Sequence, residues 1–246
     1  MNGFGKGTGT LVFLAMFSVV LAMARGPQSG DPLAARLEMA RRTRNETQLQ
    51  SLKTELEERT RQSQGDAQNE FELAKVQGYL ADVYLFRKDK KAAAKAIDSA
   101  VEWARRSIAD DNQSARAHSL LADLYGRISF GGMLAGPKFG PKVSEENKRA
   151  MALDDHNPQV WASQGRQYLM APKMFGGDVS KAIESFQKSL SLDALQDETY
   201  VWLAKAYEQQ GENSKAREAI QQALRLNPES PLVSRILAER HFSSAP

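Results

Sequence analysis

The sequence predicts an all-α protein, an α-solenoid of stacked helical hairpins closed by helical caps. Three observations predict it. Ala, Leu, Gln, Glu, Lys and Arg are frequent while Val, Ile and Thr are sparse, a composition that favours helix over strand. A unit of small and aromatic residues recurs along the chain at near-regular intervals. Tyrosine occupies the same register of that unit at Tyr84, Tyr125, Tyr168 and Tyr207, in a chain with only 6 tyrosines.

The chain has 246 residues, enough for one or two domains, and its 41% hydrophobic and 26% charged residues are ordinary for a globular protein. A formal charge of +3 is too small a surplus for a nucleic-acid partner, because no Lys/Arg block stands clear of neighbouring Asp and Glu. With 0 cysteines, disulfides, thiolate metal sites, iron–sulfur clusters and Cys nucleophiles are excluded.

Residues 1–24 read as a signal peptide. They carry Lys6, an apolar run from Leu11 to Ala24, and the small-x-small ending Ala22-Met23-Ala24. The run is short against the roughly 20 residues a spanning helix needs. An uncleaved N-terminal anchor in the inner membrane is the competing reading. Either way the mature chain is expected to lie outside the cytoplasm, periplasmic or secreted, with no further membrane span. Residues 25–31 are a flexible start.

Residues 32–73 form a degenerate helical cap. Asp31-Pro32 is a cap followed by a first-turn proline, and Leu33, Leu37 and Ala40 set one helix to about Arg42. Asn45 caps a second helix with Leu49, Leu52 and Leu56 on one face. Residues 64–69 are read as the turn that follows.

Four hairpin units come next. Residues 74–114 carry Leu80, Ala81, Tyr84, Ala93, Ile97 and Ala100, with a second helix running to about Ile108. Residues 115–157 carry Leu121, Ala122, Tyr125 and Ala150, with a Gly/Pro-rich inserted loop at 129–142. Residues 158–196 carry Trp161, Gly165, Tyr168, Gly177, Ala182 and Phe186, with a short inserted turn at 170–177. Residues 197–230 are the plainest unit: Tyr200, Leu203, Ala204, Tyr207, Gly211, Ala216, Ile220, Ala223, Leu224 and Pro228. Small residues stand where two helix backbones approach, large ones fill the space around them, Gly211 ends one helix and Pro228 follows the next. Residues 231–246, with Leu232, Ile236 and Leu237, are a capping helix and tail.

The last unit strongly resembles the tetratricopeptide repeat (TPR) over its whole length, and the three earlier units fit the same template once insertions are allowed. The resemblance implies a superhelix whose first helices line a concave binding surface. It implies a non-catalytic scaffold that binds a protein or peptide, without cofactor or metal. The residues themselves agree: His118, His156 and His241 lie in different units without ligand spacing, and no hydrolase, metalloprotease or phosphate-loop motif occurs in the mature chain.

Carried onto this chain, the TPR groove positions include Lys75 and Asp82; Arg116, Ser119 and Asp123; Gln159 and Arg166; Glu198, Lys205 and Glu208. Arg116, Arg166 and Lys205 are the expected anion anchors. The two insertions share Phe-Gly-Gly, at Phe130-Gly131-Gly132 and Phe175-Gly176-Gly177. Falling at equivalent points of neighbouring units, they are expected on one edge of the stack. There Phe130, Phe139, Phe175, Lys138 and Lys142 are candidate partner contacts; filling space between units is the plainer role. Pro172-x-x-Phe175-Gly176-Gly177-Asp178 is similar to a turn of exported bacterial repeat proteins, some of them associated with substrate-capture transporters. A ligand pocket closed by the two Phe-Gly-Gly turns is the alternative that this implies.

Overall fold

The computed structural model describes residues 32–129, 135–230 and Val233. The signal-peptide reading, Phe130-Gly131-Gly132 and the C-terminal capping helix fall outside them, except that Val233 is buried against the last hairpins. Among the described residues there are ten α-helices, one 3-10 turn and no strand: α1 (Pro32–Arg42), α2 (Glu46–Gln62), α3 (Ala67–Phe86), α4 (Lys90–Asp110), α5 (Ala115–Ser129), α6 (Ala135–Leu153), α7 (Pro158–Met170), α8 (Val179–Leu192), α9 (Asp197–Gln210) and α10 (Asn213–Leu226).

Each helix pair is a hairpin, and each hairpin packs on the next, the TPR-like solenoid expected. Side-chain caps fix the starts. Asn45 accepts from Gln48 N, Asp89 from Ala92 N, Asn157 from Gln159 N and Asp178 from Lys181 N, satisfying amides that have no partner in a helix's first turn. The turn of the last hairpin closes through Gly211 at φ 85°, the left-handed conformation a glycine adopts without cost. The α3–α4 turn does the same with Lys88 at φ 63°.

The core is a strip along the stack rather than one centre. Leu33, Leu37, Leu49, Leu52 and Leu56 of the cap meet Leu73, Val76 and Leu80 of α3. Ala74, Ala100 and Ala104 meet Leu121, Leu124 and Tyr125. Phe186, Val201, Leu203, Ala216, Ile220 and Ala223 form the C-terminal section. The signature alanines Ala93, Ala182, Ala216 and Ala223 are all buried. Gly165 belongs with them: a Cβ there would lie 2.6 Å from the ring of the fully buried Phe186.

The tyrosine column is a joint between hairpins. Gln50 Nε2 of α2 donates to the Tyr84 hydroxyl at 2.7 Å, Arg105 Nε of α4 to Tyr125 at 2.8 Å, and Gln187 Nε2 of α8 to Tyr207 at 2.9 Å. In each case the donor comes from the second helix of the preceding hairpin. Core packing explains the rings; the hydroxyls add a bond across every junction where such a donor stands.

Two boundaries differ from the sequence reading. Helix α3 begins at Ala67, because Asp66 accepts from Gln68 N and Asn69 N, so the stretch read as a turn at 64–69 ends at its cap, and the boundary expected between 73 and 74 falls inside this helix. The insertion at 129–142 is not a loop throughout, since α6 starts at Ala135 and includes Gly136-Pro137-Lys138 and Pro141. Pro137 falls in the first turn, where a missing N–H costs no helical bond, and only Pro141 removes one. Composition alone could not distinguish a proline-rich loop from a proline-started helix.

Candidate functional site

The first helices α3, α5, α7 and α9 present a polar face, and several of its charges are paired across neighbouring helices. Arg127 of α5 donates from Nη1 to Asp82 Oδ1 of α3 at 2.7 Å and to the Gly78 carbonyl at 3.1 Å. One hairpin further, Arg166 of α7 reaches Asp123 of α5 with both ends of its guanidinium, Nε to Oδ1 at 2.9 Å and Nη2 to Oδ2. Ser163 Oγ adds a third donor to Asp123 at 2.9 Å.

The N-terminal cap closes this row onto the last hairpin. Arg41, at the end of α1, donates from Nη2 to Asp197 Oδ1 at 2.8 Å and from Nη1 to Glu198 Oε1 at 2.7 Å. Glu38 holds the same guanidinium from below, accepting from Nε at 2.9 Å and Nη2 at 2.7 Å. Arg42 donates to Glu38 and to the carbonyl of Leu226, the last residue of α10.

The electrostatics follow the geometry. Burial disfavours the charge on Arg41, yet Glu198, Glu38 and Asp197 outweigh it and hold the guanidinium more firmly protonated than usual. Arg127 behaves alike, with Asp82 and Asp123 overcoming its desolvation. Burial by itself would raise the Glu38 carboxyl, but the hydrogen bonds and charges of Arg41 and Arg42 hold it below the usual range. Tyr79 of α3, close to the same group, has its hydroxyl pushed far above its ordinary range by burial and stays neutral.

The expected groove residues therefore have partners of their own. Lys75 Nζ bonds Glu72 Oε2 at 2.9 Å and lies over the Phe71 ring. Arg116 donates to Gln68 Oε1 at 3.1 Å and stacks 5.1 Å from the same ring. Lys205 sits 4.5 Å over Trp202, and Glu208 is half-buried one turn away on α9. Ser119 is buried, donating to the Gln159 carbonyl, which takes it off the open face. Arg41, Glu38, Arg127 and Asp197 were missed by sequence reasoning. Arg127 and Asp197 fall outside the groove positions carried over, and nothing in the chain's order ties Arg41 to a residue so far away.

At the insertions the outcome is divided. Phe139 is not a loop residue: it lies in α6, half-buried, 5.7 Å from the Tyr125 ring. Lys142 stands 5.5 Å over both rings and Lys138 5.4 Å over Phe139. Phe175 is different. Its turn is built by Pro172 O, which accepts from Phe175 N at 2.8 Å and Gly177 N at 3.1 Å, and by Tyr168 O, which accepts from Asp178 N at 2.9 Å. Gly176 turns at φ 88°, and a Cβ on Gly177 would lie 1.8 Å from the Ala171 carbonyl oxygen. Both glycines are thus structural, whereas Met174 at 81% and Phe175 at 62% exposure fill nothing.

Among the described residues no group of three or more His, Cys, Asp or Glu is placed to hold a metal ion. No described helix is long and apolar enough to cross a membrane. The inner face offers fixed, partly exposed charge pairs able to exchange hydrogen bonds with a ligand's polar groups.

Comparison with known proteins matches residues 34–239 to the family described as regulator of microtubule dynamics protein 1-3. No curated protein matches the chain. Among solved structures it is similar to TTC0263, a thermophilic TPR protein of Thermus thermophilus, at 16% identity and a TM-score of 0.60, over 84% of this chain and 97% of that one. More distant are YrrB, a TPR protein with an unusual peptide-binding site (11% identity, 83% and 91% covered, TM-score 0.42), and MamA from residue 41 onward of Desulfovibrio magneticus RS-1 (14% identity, 82% and 98% covered, TM-score 0.42). At these identities the likeness concerns the fold.

Proposed function

This chain belongs to the regulator of microtubule dynamics protein 1-3 family, and we propose that it is a non-catalytic scaffold whose inner helix face binds a protein or peptide partner. The observation that carries this reading is the row of partly exposed ion pairs on that face. The side chains of Asp82 and Arg127 are 34% and 35% exposed, those of Asp123 and Arg166 are 21% and 20%, and Glu198 is 45% exposed beside a nearly buried Arg41. A partner's amides and charged side chains meet partners held at fixed spacing, and the paired state keeps the face from binding indiscriminately. The apolar run ending at Ala24 supports placing this scaffold in the cell envelope or the secreted space.

A second reading, a ligand-binding or transporter-associated component, is favoured by the glycine-built turn at Pro172–Asp178 and its exposed Met174 and Phe175.

A photo-crosslinking residue at Lys205, on α9, tests the scaffold, with one at Glu102 of α4 as the outer-face control. In the intact source cell, discrete protein adducts are expected from position 205 and not from 102. Adducts from 102 alone, or none from 205, overturn the reading.

A further inference from the structure

Two turns on one long edge of the solenoid differ in charge from the turns on the other. One edge carries the turns between hairpins, and there Asp110, Asp111, Asp154, Asp155 and Asp193 stand with no Lys or Arg in the described turns themselves, Asp111, Asp154 and Asp193 each accepting a backbone N–H of its own turn. The other carries the turns within hairpins. From Leu85 to Lys91 every residue of the α3–α4 turn is exposed, and it includes Arg87, Lys88, Lys90 and Lys91 against a single acid, Asp89, which is occupied in capping Ala92 N. Arg87 is paired with Glu46. The α7–α8 turn adds Lys173 and Lys181, against Asp178, again a cap, whereas the α9–α10 turn on the same edge carries Glu212, paired with Lys215.

Exposed apolar side chains concentrate on the basic edge. Leu85 (44%), Phe86 (49%), Met170 (36%), Met174 (81%) and Phe175 (62%) all lie in or beside these two turns, leaving only Met39 and Leu195 elsewhere among the large exposed apolar residues described. Local physics does not ask for either feature. Lys88 occupies a left-handed conformation that glycine takes in the last hairpin, at a cost of about 1 kcal/mol for a side chain with a Cβ. Lys90 and Lys91 open α4, where the helix dipole disfavours cations. Phe175 is not needed by its turn, which the backbone and two glycines already close.

We propose that this hairpin-turn edge docks on an anionic lipid surface, with Phe86, Met174 and Phe175 entering the headgroup layer and the lysines beside them pairing with lipid phosphates and carboxylates. Aromatic and Met side chains favour the interface, and each nearby lysine adds attraction to a negative surface. The acidic opposite edge is repelled, so the charge asymmetry fixes which edge faces the lipid and leaves the inner face side-on and open. The interaction is peripheral and independent of what the inner face binds.

Because the chain has no cysteine, one label site can be introduced in the full-length protein. A polarity-sensitive dye on Met174→Cys is compared with the same dye on Asp155→Cys, using phosphatidylcholine vesicles with and without phosphatidylserine. The 174 label is expected to shift to the blue only with phosphatidylserine, and the 155 label not at all. Lys88→Glu with Lys90→Glu and Lys91→Glu should raise the lipid needed by on the order of a hundredfold. An N-terminal anchor would bring the chain to both vesicle types alike and cannot produce this pattern. A 174 label that stays water-like, as it would if an acidic protein were the true partner, overturns the proposal. So does an equal response at 155, or one indifferent to phosphatidylserine.

Discussion

Arg41 Nη2 and Asp197 Oδ1 lie 2.8 Å apart although 156 residues separate them, which joins the N-terminal cap to the last complete hairpin. The side chains are only 11% and 4% exposed. Among the described residues Asp197 has one other side-chain donor, Asn227 Nδ2 at 2.9 Å. Arg41→Ala leaves the buried Asp197 carboxylate without its charge partner, and the expected loss is about 3 kcal/mol. Urea unfolding measures it, and amide exchange in α1 should rise with it. An unchanged midpoint would show that the clasp contributes no stability.

The same clasp is acid-sensitive through Glu38. Its carboxyl is held below the ordinary range by Arg41 and Arg42 against the opposing effect of burial. A lowered folded-state value means that stability is present above the unfolded value, about 4.3, and is lost as pH falls through the folded one. Glu38→Gln should therefore be less stable than the parent at pH 7, with the gap closing as both are acidified. A gap independent of pH would contradict this.

Glu70 predicts the opposite sign. It is buried at 1% exposure, its Oε1 accepts from Arg106 Nε at 3.0 Å, and its Oε2 has no other donor. Burial first, and then the neighbouring Asp110 carboxylate, raise it despite Arg106. Protonation removes a charge that burial and the neighbouring Asp110 both disfavour, so the neutral carboxyl stabilises the fold. That contribution is present at low pH and is lost as pH rises through the raised value. Glu70→Gln keeps the acceptor for Arg106 and supplies a permanent donor to Asp110. It should match the parent in stability at acid pH and exceed it at neutral pH, as thermal unfolding at two pH values would show.

The Pro172–Asp178 turn separates structure from surface. Gly177→Ala drives a methyl into the Ala171 carbonyl and should cost several kcal/mol or rearrange the turn, at the upper end of overpacking effects of about 1–3 kcal/mol. Phe175→Ser should change stability by less than about 0.5 kcal/mol, since the ring is 62% exposed. Denaturant midpoints of the two variants test the pair. A large loss from Phe175→Ser would return that ring to a packing role.

What the chain's order determined is what local physics determines. Asn45 and Leu49, Tyr84 and Ala93, Gly165 and Phe186 act within one hairpin or between neighbours, so their registers carry the helices, the hairpins and the TPR-like stack into the sequence as a repeating pattern. Even there Ala135–Lys142 is expected as loop and is helix, because two prolines permit either a loop or a helix start, and the pattern of the chain does not show that Phe139 packs beside Tyr125. The partners of the inner face were beyond it. Whether Arg166 serves a ligand or Asp123, and whether Arg41 finds Asp197, depends on the rotation accumulated from one hairpin to the next across the whole stack. Each step is set by side-chain packing at a junction, and no single stretch of sequence encodes the sum.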